Sequence, residues 1–211
     1  MDAFLQHQWT FYLHYPTFNL DTRNYSDQAY ERLADVSSVE AFWTVLESLP
    51  KPSDVFSGRD AHHRVARSKI NGRYLEAFGF FKAGVKPEWE FSVNLKGGHF
   101  ECRKDLSLDM VDRLWYETLL ALVGEVLESG REVVGARIVD KSKSRKTEFR
   151  LEIWVATTCQ DVRNEVLQNV MDVLAPYDHT LDFTWKSHGD SLATMMWCNA
   201  ENLGIDIAKE L

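Results

Sequence analysis

The chain is poor in cysteine, in long apolar runs and in net positive charge, and each deficit removes a class of protein. Its three cysteines, Cys102, Cys159 and Cys198, are odd in number and widely spaced, and none forms a CxxC pair. A disulfide scaffold is not expected. A structural zinc is not expected either, because His62-His63 has no cysteine within ligand spacing. No apolar stretch approaches the ~18–20 residues of a spanning helix, and Met1-Asp2-Ala3-Phe4 lacks the basic start and apolar run of a signal peptide. The expectation is a soluble, cytoplasmic protein that meets no membrane. Asp+Glu outnumber Lys+Arg by 32 to 24, and a net charge of −8 argues against sequence-blind wrapping of nucleic acid.

What is present is enough apolar residue, 45%, to build a core, and 211 residues suit one domain spanning 1–211. The charge is uneven. Lys141-Ser142-Lys143-Ser144-Arg145-Lys146-Thr147-Glu148-Phe149-Arg150 holds five basic residues and one acid, so a total of −8 leaves −12 on the rest of the chain. A compact cationic loop on an acidic protein suggests a small polyanion held at one place.

Aromatic and β-branched runs predict strands at about 8–15, 73–81, 99–105, 132–140, 148–157 and 180–187. The clearest is 148–157. Phe149, Leu151, Ile153 and Val155 alternate with Glu148, Arg150, Glu152 and Trp154, which predicts a half-buried strand whose second face shows Arg150 and Trp154 away from the core. A helix is predicted after Ser37, whose spacing to Glu40 reads as a capping box, with Pro50 as its stop. A second runs over about 108–128 behind Ser107, and a third over about 162–175 up to Pro176. A weaker amphipathic tail covers about 199–210. The Pro-, Ser- and Gly-containing stretch from Pro50 to Gly72 reads as a long loop. Antiparallel strands with interspersed helices make an α+β domain.

The second helix carries more than one core face. Leu108, Val111, Trp115, Leu119, Leu122 and Val126 fill an ordinary buried stripe, and Tyr116, Leu120, Val123 and Leu127 widen it. Either loops of the same chain cover that extra surface, or a partner helix does, with Glu117 as a charged rim and Gly124 allowing close approach.

A series of blocks now stands in order: Gln6-His7-Gln8-Trp9-Thr10-Phe11, Val39-Glu40-Ala41-Phe42-Trp43, Pro87-Glu88-Trp89-Glu90, Lys96-Gly97-Gly98-His99-Phe100, Asp112 to Leu120, Gly124-Glu125, Glu152-Ile153-Trp154 and Ser187-His188-Gly189-Asp190. With them the chain resembles the eukaryotic translation initiation factor 4E family of messenger RNA cap-binding proteins over about residues 5–191, leaving 192–211 as an extra tail. The resemblance implies a curved antiparallel sheet of about eight strands, three long helices on its convex back, and 7-methylguanosine sandwiched between two aromatic rings in the hollow. It implies binding of capped messenger RNA in translation initiation, no catalysis, and neither cofactor nor metal.

By position, the resemblance makes Trp89 one stacking ring, Glu90 the carboxylate on the guanine edge and Trp154 the tryptophan beside the N7-methyl group. Lys141, Lys143 and Arg150 match phosphate-binding positions, with Arg145 as an added basic residue in that loop. His99 stands where better-known members carry arginine, and His188 is expected to contact the phosphates or the next nucleotide. The first stacker is usually a tryptophan, here aligned with Ser26, so Tyr25 is expected to take its place, with Phe18 and Tyr30 as alternatives. Val39, Trp43, Tyr116, Glu117, Leu120 and Gly124 match the dorsal positions that receive a helix of initiation factor 4G or of a 4E-binding repressor. The departures point to a divergent paralogue, of the kind kinetoplastid protozoa carry, whose cap bears additional methyl groups. The other reading is a protein-interaction module or translational regulator with weak cap binding.

The chemistry is sound without the name. Methylation at N7 leaves guanine cationic, and a cation is attracted to an electron-rich ring face. A carboxylate can accept the N1–H and N2–H donors of guanine together. His188 beside Ser187 and Asp190 does not make a hydrolase triad, because adjacent residues rarely reach that geometry and no nucleophile-elbow signature is present.

Overall fold

A computed structural model describes residues 3–16, 29–59, 65–66, 68–70, 72–127, 132–143 and 146–191. Seven strands form one sheet: β1 (Phe4–His14), β2 (Tyr30–Ser38), β3 (Ala77–Lys82), β4 (Gly98–Lys104), β5 (Val133–Asp140), β6 (Phe149–Val155) and β7 (Thr184–Ser187). Their order is β7-β4-β6-β5-β3-β1-β2, and every neighbouring pair is antiparallel. Three long helices accompany it: α1 (Val39–Ser48), α2 (Leu108–Val123) and α3 (Gln160–Leu174), with single turns at Pro52–Val55 and Ser92–Leu95. Two-residue ladders, Gly58–Arg59 with Val65–Ala66 and Lys69–Ile70 with Arg73–Tyr74, occupy the stretch read as a long loop. The tail expected to be helical at 199–210 lies outside the described residues.

The sheet is strong in its middle because its central strands are apolar on the helix side. Phe80 on β3 is fully buried and meets Trp9 at 5.0 Å, Phe11 at 4.4 Å and Phe42 of α1 at 5.9 Å between ring centroids. Burying one such ring contributes about 1.5–3 kcal/mol, and well-set aromatic pairs add about 0.5–1.5 kcal/mol. Val111, Leu114 and Leu119 of α2 and Val166 and Val170 of α3 close the same core.

Local details correct three readings. Strand β2 continues through Ser38, so the cap of α1 is Ser38 rather than Ser37. Its Oγ accepts from Ala41 N at 3.1 Å, while Glu40 turns away to accept from Ala3 N. Helix α2 stops at Val123, five residues short of its predicted end. Val126 N–H bonds back to Ala121 O and Glu125 N–H to Leu122 O, a Schellman closure with Glu125 at φ 55° in the left-handed position glycine usually fills. Asp112 reaches outside its own helix. It accepts from Ser53 N at 2.8 Å and Ser53 Oγ at 2.6 Å, tying the Pro52–Val55 turn to the helix.

The third correction concerns β6, which is buried on both faces along its whole length. Its second face does not look into solvent. Register places Trp154 between His99 and Gly135, and Glu152 between Glu101 and Arg137, so a second buried layer lies on the side of the sheet away from the helices. Gly97 and Gly98 let β4 enter that layer: a Cβ on the first would run into the Val155 carbonyl, and one on the second into that of Lys186.

Candidate functional site

Trp89 and Glu90 stand in the loop between β3 and β4, and the sequence explains why that loop is held. Asn94, fully buried, donates its amide to the carbonyls of Lys86 and Glu88, both at 2.7 Å. Trp89 is half-buried and Glu90 exposed. The indole lies nearly parallel to two imidazoles, His99 at 6.4 Å and 19° and His188 at 6.1 Å and 17°. Trp154 closes the far side, 5.7 Å from His99 and 4.4 Å from His188. Four rings from a loop, β4, β6 and the turn after β7 therefore meet at one place.

A charged network underlies them. Glu152, with no exposed surface, receives Arg137 Nε at 2.9 Å and Nη2 at 3.2 Å, and also the Trp154 indole N–H at 2.8 Å. Arg150 Nε lies 2.6 Å from Glu152 and its Nη1 3.5 Å from Glu101, which also faces Arg103 at 3.5 Å. The Arg137 guanidinium sits 5.3 Å from the centre of the Trp154 ring. Burial alone would raise the Glu152 carboxyl, but Arg137 and then Arg150 hold it well below the usual carboxylate range. Glu101 is also lowered, first by its contact with His99 and, against its burial, by Arg103 and Arg150. His188 is pulled down to about 4, chiefly by burial.

The residues singled out from sequence are thus partly gathered and partly dispersed. Trp89, Trp154, His99, His188 and Arg150 converge. Trp154 and His188 are fully buried, however, and His99 and Arg150 nearly so, which sets the two histidines behind Trp89 rather than in front of it. Lys141 pairs with Glu76 at 2.6 Å; Lys143 is exposed, and its backbone bridges to Lys146. Tyr25, Arg145 and the alternative Phe18 lie outside the described residues. The other alternative, Tyr30, stacks on His14 at 4.5 Å and 14°.

Sequence reasoning missed Arg137, Glu101, Glu152 and Asn94 as parts of this place. The one available signal was a lone arginine at an alternating position of an apolar strand. His99, Glu101 and Glu152 could each turn one ligand atom toward a common point. Both carboxylates are already committed to arginines, so the donor set fits guanidinium rather than a metal ion.

On the helix side, Trp43 of α1 and Tyr116 of α2 meet at 6.1 Å, and Val39 and Tyr116 are each 36% exposed. Trp43 and Tyr116 line a cleft of about 560 Å³ with Leu46, Pro50, Arg113 and Leu119. Glu117 pairs with Arg113 at 3.3 Å. Val39, Glu117, Leu120 and Gly124 do not line that cleft.

A sheet with its long helices on one side and an aromatic, charge-lined place on the other defines an α+β binding domain. The chain belongs to the eukaryotic initiation factor 4E family, whose model matches residues 4–200. It is 28% identical over 193 residues to eukaryotic translation initiation factor 4E-4 of Caenorhabditis elegans, covering 90% of this chain and 79% of that protein. It is 25% identical over 181 residues to the Dictyostelium discoideum factor, covering 85% of this chain and 63% of that protein's length. Its fold is similar to that of C. elegans eIF4E-3 in complex with the 4E-binding protein Mextli and a cap analog, with a TM-score of 0.68 at 22% identity over 92% of this chain and 96% of that one. No helix among the described residues is long and apolar enough to cross a membrane.

Proposed function

We propose that this chain, 1–211, is one cap-binding domain that holds the 7-methylguanosine cap of messenger RNA and recruits a 4G-like scaffold or a 4E-binding repressor in translation initiation. The observation that carries the reading is Trp89: a half-exposed indole backed by two near-parallel imidazoles, followed directly by an exposed carboxylate at Glu90. Trp89 and Tyr25 stack on the base, Glu90 takes the guanine edge, and Trp154, fully buried beneath the histidines, backs the side of the site that takes the methyl group. Lys141, Lys143, Arg145 and Arg150 serve the phosphates. His99 and His188 act through Trp89. The protein performs no chemistry on the cap, works in the cytoplasm, and reads extra methyl groups if its transcripts carry them.

Titration with 7-methyl-GTP and, separately, GTP, followed by tryptophan fluorescence, tests this. Quenching by the methylated ligand at far lower concentration is expected, since only that base carries the positive charge that an indole face attracts. Equal response to both ligands would sink the reading.

The partner side is tested by Trp43→Ala. Large aromatic residues at helix-receiving grooves are commonly hot spots of about 2 kcal/mol or more, so affinity for a purified initiation factor 4G fragment is expected to fall by about 30-fold or more. Retention on 7-methyl-GTP resin should be unchanged. Loss of resin binding would make Trp43 structural instead.

One observation favours the weak-binding regulator as a second reading. Arg150 and Lys141, two of the cations assigned to the phosphates, are already paired with carboxylates of the same chain. Partner binding without retention on cap resin would favour it.

A further inference from the structure

With both rings neutral, the hydrogen bonds behind Trp89 have one consistent direction. His188 Nδ1 lies 2.9 Å from the Asn94 carbonyl oxygen, which can only accept, so that nitrogen carries a proton. In the neutral ring, His188 Nε2 is then an acceptor. His99 Nδ1, 2.9 Å away, must donate to it. While His99 is neutral, this direction leaves its Nε2 a lone pair 3.8 Å from the Glu101 carboxylate, beyond hydrogen-bond length; the contact by which His99 lowers Glu101 belongs to the protonated ring. A proton arriving there turns an acceptor facing an acceptor into an ion pair. A proton arriving on His188 Nε2 would set N–H against N–H unless His99 moved its own proton from Nδ1 to Nε2, so by either route the added N–H ends on His99 Nε2.

We propose that His99 and His188 form a proton-gated support for the indole of Trp89, with His99 Nε2 as the atom that takes the proton, and that charging it weakens the hold on a cationic base. His99 is the positioning residue of this pair. It is 2% exposed and lies between two indoles, Trp89 at 6.4 Å and Trp154 at 5.7 Å, both at 19°. An imidazolium there occupies the ring face of Trp89 opposite a stacked ligand, and two cations then share one indole. Burial holds His188 down to about 4, which keeps that ring neutral across the range in which the support is tested. The groups facing His99 are Glu101 on its own strand, held by Arg103 and Arg150; Glu152 and Arg150 from β6; Arg137 from β5; and Lys186 opposite it on β7, which is exposed. From the loop side comes Trp89; Lys86, Glu88 and Glu90 stand on the same loop, partly or fully exposed. The nearest carboxylate, Glu101, is the one that receives the new N–H.

The proposal rests on the cap-binding reading for its effect on affinity, and the first measurement is independent of that reading. Emission of the ligand-free protein is followed from about pH 8 to about pH 5.5, the range in which histidine titrates, for wild type and Trp89→Phe, the difference being the Trp89 signal. That signal is expected to fall in one transition. In His99→Asn, whose amide still donates to His188, it should stay flat, with an unchanged circular dichroism spectrum. In Glu101→Gln the transition should move to lower pH. A flat Trp89 signal in wild type, or the same transition in His99→Asn, overturns the proposal, as does an unmoved transition in Glu101→Gln.

Affinity for 7-methyl-GTP is then measured over the same range as the ratio of wild type to His99→Asn, in which the ligand's own titration cancels. The ratio is expected to fall by about two- to fivefold as His99 charges. A constant ratio overturns the gating of the base. No binding at any pH alongside a normal Trp89 transition overturns the cap-binding reading, and with it the gating of affinity, while the proton-gated support itself stands.

Discussion

Glu152→Ala is expected to destabilise the protein by about 3–5 kcal/mol, the usual cost of leaving one partner of a buried ion pair uncompensated. The expectation follows from what Glu152 holds. Its two oxygens take both contacts of Arg137, which is itself 6% exposed, and one of them accepts the Trp154 indole N–H. With the carboxylate gone, Arg137 keeps its charge in a site almost closed to water and loses its anchor over the Trp154 ring. Arg150 loses its nearer carboxylate at the same time. Urea unfolding monitored by circular dichroism gives the number, and a loss below about 1 kcal/mol would mean that the network is not a structural element. Replacing Arg137 and Glu152 together by apolar residues of similar volume should cost less than either single change, because neither charge is then stranded.

The same pair sets a pH dependence. The Glu152 carboxyl is depressed below its ordinary value of 4.5, so its contribution to stability is present above that value and is lost as pH falls toward the folded one. Wild type should lose stability through the acid range below about pH 4.5. Glu152→Gln, less stable at neutral pH, should lack that part of the slope.

Periodicity made the three helices and most of the strands legible, because their core faces are continuous. Strand β2 was not legible. Its sequence Tyr-Glu-Arg-Leu-Ala-Asp-Val-Ser-Ser buries only Val36 and Ser38, as suits an edge strand with one neighbour, and no apolar alternation announces it. The end of α2 was missed because Val126 and Leu127 continue the helical period while the backbone at Glu125 turns left-handed beneath them. The second buried layer escaped for a more general reason. Arg137, Arg150, Glu101 and Glu152 look solvent-directed on any single strand, and only the pairing of β4, β6 and β5 brings opposite charges together where they can be buried. The ordered tryptophan blocks identified the family, yet nothing in them told that His99 and His188 would turn inward and meet.

Glu90→Ala is expected to weaken 7-methyl-GTP binding by about 10- to 100-fold, since a hydrogen bond to a charged group is worth about 1.5–3 kcal/mol. Glu90 is exposed, and surface substitutions usually shift stability by no more than about 0.5 kcal/mol, so the fold should be untouched. The comparison with GTP separates this role from that of Trp89. The guanine edge offers the same N1–H and N2–H donors in both ligands, so Glu90→Ala should lower both affinities, that for the methylated base somewhat more because its charge strengthens the donors. Trp89 answers to the positive charge of the methylated base, so Trp89→Ala should shrink the ratio as well as the affinity. A Glu90→Ala protein that binds 7-methyl-GTP within twofold of wild type would place the reading of the guanine edge on another residue. A Trp89→Ala protein with the wild-type ratio would mean that discrimination of the methyl group rests on Trp154 or on the first stacking ring, and that the indole above the two histidines contributes contact area alone.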